Sequence, residues 1–275
     1  MIGTRHGSAA RRAGDRVDGG SYLDIDGQLL WHFEAGDRLG HPTVLLHGAF
    51  ASAATWGAQI ADFVDAGLHL FIPERSGHGH SPDRPGAYCF ADMASQIISY
   101  LEQVVRGPAH LVGWSDGGVL ALLVGLQRPD LVSRIVSVCN YVNLEGADDD
   151  AADFFRRVER RDPSIVEFLR AGFVDAAPAG LAEFDTIYDK TLTFLQHEPT
   201  YPVTDFAAVS APTLIVAADR GVTHLDHSAA VAQAIPNGRF AVLPGTHILP
   251  AESPELFNPL VLSFLAADPP SQWFM

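Results

Sequence analysis

Apolar and polar positions alternate with period two through Tyr22-Leu23-Asp24-Ile25-Asp26, turn at Gly27, and continue into Leu29-Leu30-Trp31-His32-Phe33. This pattern predicts an antiparallel hairpin. Short unbroken apolar runs follow at Thr43–Leu46, Leu68–Ile72, Ala109–Gly113, Ile135–Cys139, Thr213–Ala217 and Arg239–Leu243. Such runs fit strands covered on both faces, as in a parallel sheet. Between them, helical spacing runs through Trp56–Ala66, Ala91–Val105, Gly117–Gln127, Ser228–Ala234 and Pro254–Ala266. Strands alternating with helices imply βαβ units, hence an α/β fold with a mostly parallel sheet flanked by helices. From about Tyr141 to Asp205 the alternation stops: Ala151–Arg161, Ser164–Gly172 and Leu181–Gln196 are helical in pattern, with no convincing strand. The segment reads as surface helices or, more sharply, as a helical lid over the carboxyl ends of the strands, where open α/β sheets bind ligands. Asp148-Asp149-Asp150 stands where it would cap the first of these helices. The expected division is an N-terminal arm over 1–20, a core over 21–140 and 206–266, a lid over 141–205 and a tail over 267–275.

Composition narrows the partners. Hydrophobic residues make up 47% and charged residues 19%, which is globular usage. Eighteen Lys and Arg against 33 Asp and Glu leave a formal charge of −15, so nucleic acid and anionic membrane surfaces are disfavoured and a small-molecule substrate is expected. Lys190 is the only lysine. Cys89 and Cys139 are too few for a disulfide framework or a Cys-rich zinc site. No apolar run reaches the ~18–20 residues that span a bilayer. The first twenty residues carry arginine but no apolar h-region, so the expected location is cytoplasmic. Oligomeric state is not legible.

Chemistry enters at Gly113-Trp114-Ser115-Asp116-Gly117, which matches G-x-S-x-G between a strand and a helix. In that context the serine sits on a sharp turn with its hydroxyl at a helix N-terminus, where free N–H groups favour developing negative charge. A serine alcohol needs a base within reach. His247 follows the last strand and precedes the terminal helix, which singles it out among twelve histidines. Oxyanion donors are expected from the Asp116 N–H, just after the nucleophile, and from the Ala49 N–H, in the turn after His47-Gly48. Phe50, Trp114 and Tyr141 are expected to line the substrate pocket. His47, His78 and His80 read as structural, and His224 and His227 as candidate pocket residues.

Together these residues resemble the α/β-hydrolase superfamily over nearly all of 21–266. The resemblance rests on His47-Gly48 after a strand, Arg75-Ser76-Gly77-His78-Gly79-His80-Ser81, the run Gly113–Gly118, Ala211-Pro212-Thr213-Leu214 entering a strand, and Pro244-Gly245-Thr246-His247. Gly113–Gly118 reads GWSDGG and is similar to the valacyclovirase-like and related bacterial esterase branch; in the valacyclovirase-like members the Asp after the nucleophile binds a substrate amino group, so at Asp116 the resemblance implies either that role or capping of the helix start. The resemblance implies an α/β-hydrolase fold with an eight-stranded-type sheet and a helical lid inserted before the penultimate strand. It implies serine hydrolysis of a small ester, lactone or amide, without metal or organic cofactor. The family's acid is normally the second Asp of a G-D-x-D stretch, and here that position is Gly221, in Ala218-Asp219-Arg220-Gly221. The acid is therefore Asp219, with Asn140 and Asp226 as alternatives, or it is missing. If it is missing, a non-hydrolytic reaction with His247 as base, or a catalytically weak ligand-binding protein, becomes the alternative.

Overall fold

The computed structural model describes residues 11–174 and 180–267. Nine strands form one sheet: β1 (Arg16–Val17), β2 (Gly20–Ile25), β3 (Gln28–Ala35), β4 (His41–Leu46), β5 (Leu68–Pro73), β6 (Ala109–Trp114), β7 (Val132–Val138), β8 (Thr213–Arg220) and β9 (Gly238–Thr246). Their spatial order is β1-β2-β3-β5-β4-β6-β7-β8-β9. The period-two segments form the β2–β3 hairpin, closed by Asp26 and Gly27 at φ 52° and 79°. Two positive φ values in a two-residue loop match the right-handed twist of the flanking strands, which explains the Asp-Gly pair. β3 pairs antiparallel with β5, and all pairings among β4–β9 are parallel. The sheet thus has one strand more than the eight-stranded type, and its first strand lies inside the segment expected to be an arm. Residues 1–10 of that arm, and the tail beyond Ala267, lie outside the described residues.

The unbroken apolar runs have a simple cause. Alternate residues of one strand face opposite sides of the sheet, and both sides of the inner strands β4–β8 are covered; the run Arg239–Leu243 departs from this, because β9 is an edge strand with no fully buried residue. Leu46, Leu111 and Ile135 join a core with α2 (Phe90–Tyr100) and α3 (Asp116–Gln127). Leu45, Val112 and Val136 join a second core with α1 (Gly57–Asp65) and the terminal helix Pro254–Ala266. Each fully buried aliphatic side chain contributes about 1.5–3 kcal/mol. The predicted helix Ala91–Val105 is continuous but changes character, widening to a π turn over Leu101–Val105 that ends at Arg106 with φ 61°.

Among the described residues between β7 and β8 stand three α-helices and no strand of the sheet: α4 (Asp149–Glu159), α5 (Pro163–Val174) and α6 (Phe184–His197). Asp148 caps α4, accepting the Ala151 N–H at 2.9 Å. These helices share a small core of Val158, Leu169, Phe184 and Tyr188. Lys190 ties α6 to the loop after β5, bonding both oxygens of Asp83 at 2.7 and 2.8 Å and the Arg84 carbonyl at 2.6 Å. The chain closes with α7 (Leu225–Ala234), α8 (Leu249–Glu252) and α9 (Pro254–Ala266). No helix among the described residues is long and apolar enough to cross a membrane.

Candidate active site

Ser115 stands between β6 and α3 at φ 56°, ψ −124°, a conformation sparsely populated by non-glycine residues. Neighbouring bonds impose it: the Ser115 N–H donates to the Val138 carbonyl at 2.8 Å, and the Ser115 carbonyl accepts from the Gly118 N–H at 2.8 Å. The glycines of the motif make room for the turn. A Cβ at Gly113 would lie 2.0 Å from the Gly117 carbonyl oxygen, and one at Gly117 would lie 2.0 Å from that of Leu46. Gly48 approaches from the other side, where a Cβ would lie 2.9 Å from that of Ser115.

His247 comes from the loop after β9, and its Nε2 lies 3.1 Å from Ser115 Oγ. Residues 132 positions apart are thus within hydrogen-bond reach. Three contacts set the loop. The Trp114 indole N–H donates to the His247 carbonyl at 2.6 Å. Glu252, one turn farther on α8, accepts both the Thr246 N–H and the Thr246 hydroxyl, the latter at 2.6 Å. Gly245 at φ 155° admits the carboxylate, since a Cβ there would lie 2.7 Å from Glu252 Oε1.

The acid departs from expectation. For Nε2 to accept the serine proton, the imidazole must carry its own proton on Nδ1, and that buried atom has no partner among the described residues. Asp219 is exposed and accepts the Gly245 N–H at 2.8 Å, so it braces the loop two residues before His247 instead of orienting the ring. Asn140 Oδ1 accepts the Ser137 hydroxyl at 2.7 Å beneath α3. Asp226 is an exposed first-turn residue of α7 that bonds the His227 N–H. None of the three bonds His247. Burial lowers the His247 pKa to about 4, and the charge opposing this is that of Asp148. The Asp148 N–H bonds the Val222 carbonyl at 3.2 Å, and Ala147 bridges Thr223, so the start of the inserted segment is stitched to the loop after β8. The sequence offered Asp148 only as a helix cap, because its proximity to that loop depends on a long-range backbone pairing.

Asp116 is the first residue of α3, so no preceding helical turn accepts its N–H. Ala49 lies in the turn after β4. Buried Arg75 joins the two segments, bonding the Gly48 carbonyl at 2.8 Å and lying 3.6 Å from Asp116 Oδ2. Burial pushes the Asp116 carboxyl up and Arg75 pulls it back. The carboxylate expected to meet a substrate amine thus already has a cationic neighbour. His47 holds the same turn: its Nδ1 donates to the Gly48 carbonyl at 2.8 Å and its Nε2 accepts the Arg75 N–H at 3.1 Å.

A cavity of about 560 Å³ opens over Ser115 and His247. Phe50, Trp114 and Tyr141 line it, as do Phe154, Phe184 and Tyr188 of the inserted helices. Phe168 and Ile248, 75% and 52% exposed, carry its apolar wall outward. His224 and His227 are not on the wall; the His227 ring accepts the Val142 N–H. Among the described residues, no three His, Cys, Asp or Glu side chains converge as metal ligands would.

The sn-1-specific diacylglycerol lipase ABHD11 of Mus musculus is 26% identical over 270 residues, covering 86% of this chain and 85% of that protein. The pimeloyl-acyl-carrier-protein methyl ester esterase of Vibrio atlanticus (strain LGP32) is 32% identical over 112 residues, covering 41% of this chain and 40% of its own. Among solved structures, a hydrolase from Pseudomonas aeruginosa PA01 superposes with a TM-score of 0.72 at 25% identity, covering 92% of this chain and all of that one. Its neighbours share the α/β-hydrolase fold. Residues 43–260 match the alpha/beta hydrolase family, and the chain belongs to that family.

Proposed function

We propose that this chain hydrolyses carboxylic esters or lactones, with amides as slower substrates, whose acyl part is largely apolar, through an acyl-enzyme on Ser115. The observation that carries this reading is the 3.1 Å contact between Ser115 Oγ and His247 Nε2, on the floor of an apolar cavity large enough for a small-molecule ligand. Ser115 Oγ attacks the carbonyl carbon while its proton passes to His247 Nε2. The Ala49 and Asp116 N–H groups hold the oxygen that becomes negative. His247 then returns the proton to the leaving alcohol as the carbon–oxygen bond breaks. Water attacks the acyl-enzyme by the same route, giving the acid and restoring the serine. The inserted helices act as a lid that shapes the acyl pocket and excludes water. The ester-cleaving names borne by the mouse and Vibrio relatives support this substrate class.

The unpartnered His247 Nδ1 supports a second reading, in which His247 serves as a base in a non-hydrolytic reaction and Ser115 only donates a hydrogen bond. Replacing an orienting carboxylate by a neutral group costs about 10⁴-fold in a serine protease, so the hydrolytic reading also expects slow turnover here. A fluorophosphonate probe with short-chain p-nitrophenyl esters separates the two. The hydrolase should be labelled at Ser115, and Ser115→Ala should lose both labelling and ester cleavage. Resistance of the wild-type protein to probe and esters overturns the proposal. A substrate whose conversion survives Ser115→Ala but not His247→Ala establishes the second reading.

A further inference from the structure

Tyr141 stands just beyond β7, is 8% exposed, and lines the cavity over Ser115. Backbone bonds fix the chain on both sides of it. Three residues earlier the Val138 carbonyl accepts the Ser115 N–H, and one residue later the Val142 carbonyl accepts the Tyr201 N–H at 2.9 Å.

A phenol hydroxyl withdrawn from bulk water normally finds a hydrogen-bond partner. The four other buried tyrosines do. Tyr22 donates to the His80 carbonyl at 3.0 Å, Tyr88 to Asp83 at 2.6 Å and Tyr188 to the Val158 carbonyl at 2.7 Å, while Tyr100 Oη lies 2.8 Å from His32 Nδ1. The Tyr141 hydroxyl has no partner among the described residues, yet, unlike His247 Nδ1, it is not one of the fully buried unpartnered atoms. The small part of Tyr141 left accessible therefore includes its hydroxyl, and the cavity is what that residue lines. Burial and the charges of Asp116 and Asp148 push the Tyr141 pKa up, so the hydroxyl keeps its proton. Asn140, on the same wall, turns its Oδ1 to the Ser137 hydroxyl and leaves its NH2 group without a partner among the described residues. This stretch of wall thus carries donors and no acceptor for them.

We infer that the Tyr141 hydroxyl is a specificity-determining donor, giving a hydrogen bond to a neutral carbonyl or ether oxygen of the substrate other than the one that reacts. The inference rests on the hydrolase reading and deepens it: the substrate is an ester or lactone with a second, uncharged acceptor. Asp116 and Asp148 repel an anion here, so a carboxylate or phosphate is not the group recognised. A substrate without the acceptor displaces water and leaves the hydroxyl unpaired, which is the source of discrimination.

The test uses p-nitrophenyl esters of four- to eight-carbon acids that carry one keto group at successive chain positions, each with its methylene twin. Butyrate esters of 4-acetylphenol and 4-ethylphenol probe the alcohol side. The readout is the kcat/KM ratio, keto over twin, in wild type relative to the same ratio in Tyr141→Phe, so that the intrinsic reactivity of each pair cancels. Tyr141→Phe removes only a hydroxyl that bonds nothing in the protein, and a merely structural role would not move this double ratio. The double ratio should reach about 10 at one position. Values near 1 for every pair overturn the inference. If Tyr141→Phe does not fold, Tyr141→Leu replaces it as the variant without a donor. If wild type cleaves none of these esters, the hydrolase reading fails. Calorimetric binding of the primary amides of the same acids to wild type and Tyr141→Phe then decides the role of Tyr141 separately. A keto amide held about 10-fold more tightly than its twin by wild type alone sustains the inference, and equal binding overturns it.

Discussion

At the scale of single residues, the meeting of Ser115 and His247 was legible because each stands at a fixed place relative to a strand end. Ser115 follows β6 directly and His247 follows β9 directly, so local pattern placed both at the same end of the sheet. The acid was not legible. Asp219 has the right composition and nearly the right position, yet its carboxylate is spent on the Gly245 N–H, a contact set by how β8 and β9 end together. Position 221 has room for a side chain: φ is not positive there, and a Cβ would meet only ordinary contacts, 3.4 Å from the Ala218 carbonyl oxygen. With burial holding the His247 pKa at about 4, the imidazole is neutral and basic above that value. The ester-hydrolysis profile should therefore lose kcat/KM on the acid side near pH 4, well below an ordinary histidine limb. Gly221→Asp should move that limb upward and raise kcat, since a carboxylate beside Nδ1 favours the imidazolium formed during reaction. A limb that stays at pH 4 in a folded Gly221→Asp protein would show that position 221 does not reach the ring.

At the scale of elements, periodicity found every strand from β2 onward and the three inserted helices: the inner strands β4–β8 are covered on both faces, the β2–β3 hairpin alternates, and β9 keeps an apolar run although none of its residues is fully buried. It missed β1, two residues long, which leaves no periodic trace. It also missed what holds the loop that carries His247. Glu252 lies in the short helix α8 with nothing in its neighbours to mark it, and it receives two donors from Thr246. Glu252→Ala should free the residue preceding His247 while leaving the elbow intact. Reactions that depend on positioning are sensitive to displacements of about 1 Å, so kcat should fall by about 10-fold or more. KM for short esters should change much less, since Glu252 is not on the cavity wall. Steady-state kinetics on one p-nitrophenyl ester checks both numbers, and an unchanged kcat removes Glu252 from the account.

At the scale of the whole molecule, the fold stores several neutral histidines. Burial lowers the pKa of His32, His47, His78, His110, His227 and His247, whereas Glu74 and Asp18 raise that of His80. For the lowered group, the unfolded chain takes up protons below about pH 6.5 that the folded chain refuses. Stability therefore falls as pH drops from about 6.5 toward 4, and His80 opposes the trend alone among these. Tm should decline by roughly 5–10 °C between pH 7 and pH 5, read by scanning calorimetry in buffers of matched ionic strength. A flat or rising Tm over that interval would mean that these imidazoles are hydrated in the native state.

The stitching of Asp148 and Ala147 to Val222 and Thr223 has a consequence for how such enzymes diversify. Exchanging the stretch between β7 and β8 for that of a relative would replace the helical part of the pocket wall and, in the same cut, the Asp148 charge that opposes the lowered pKa of His247. Pocket shape and the proton affinity of His247 are therefore inherited together in this chain, and a chimera built to alter one will carry a change in the other.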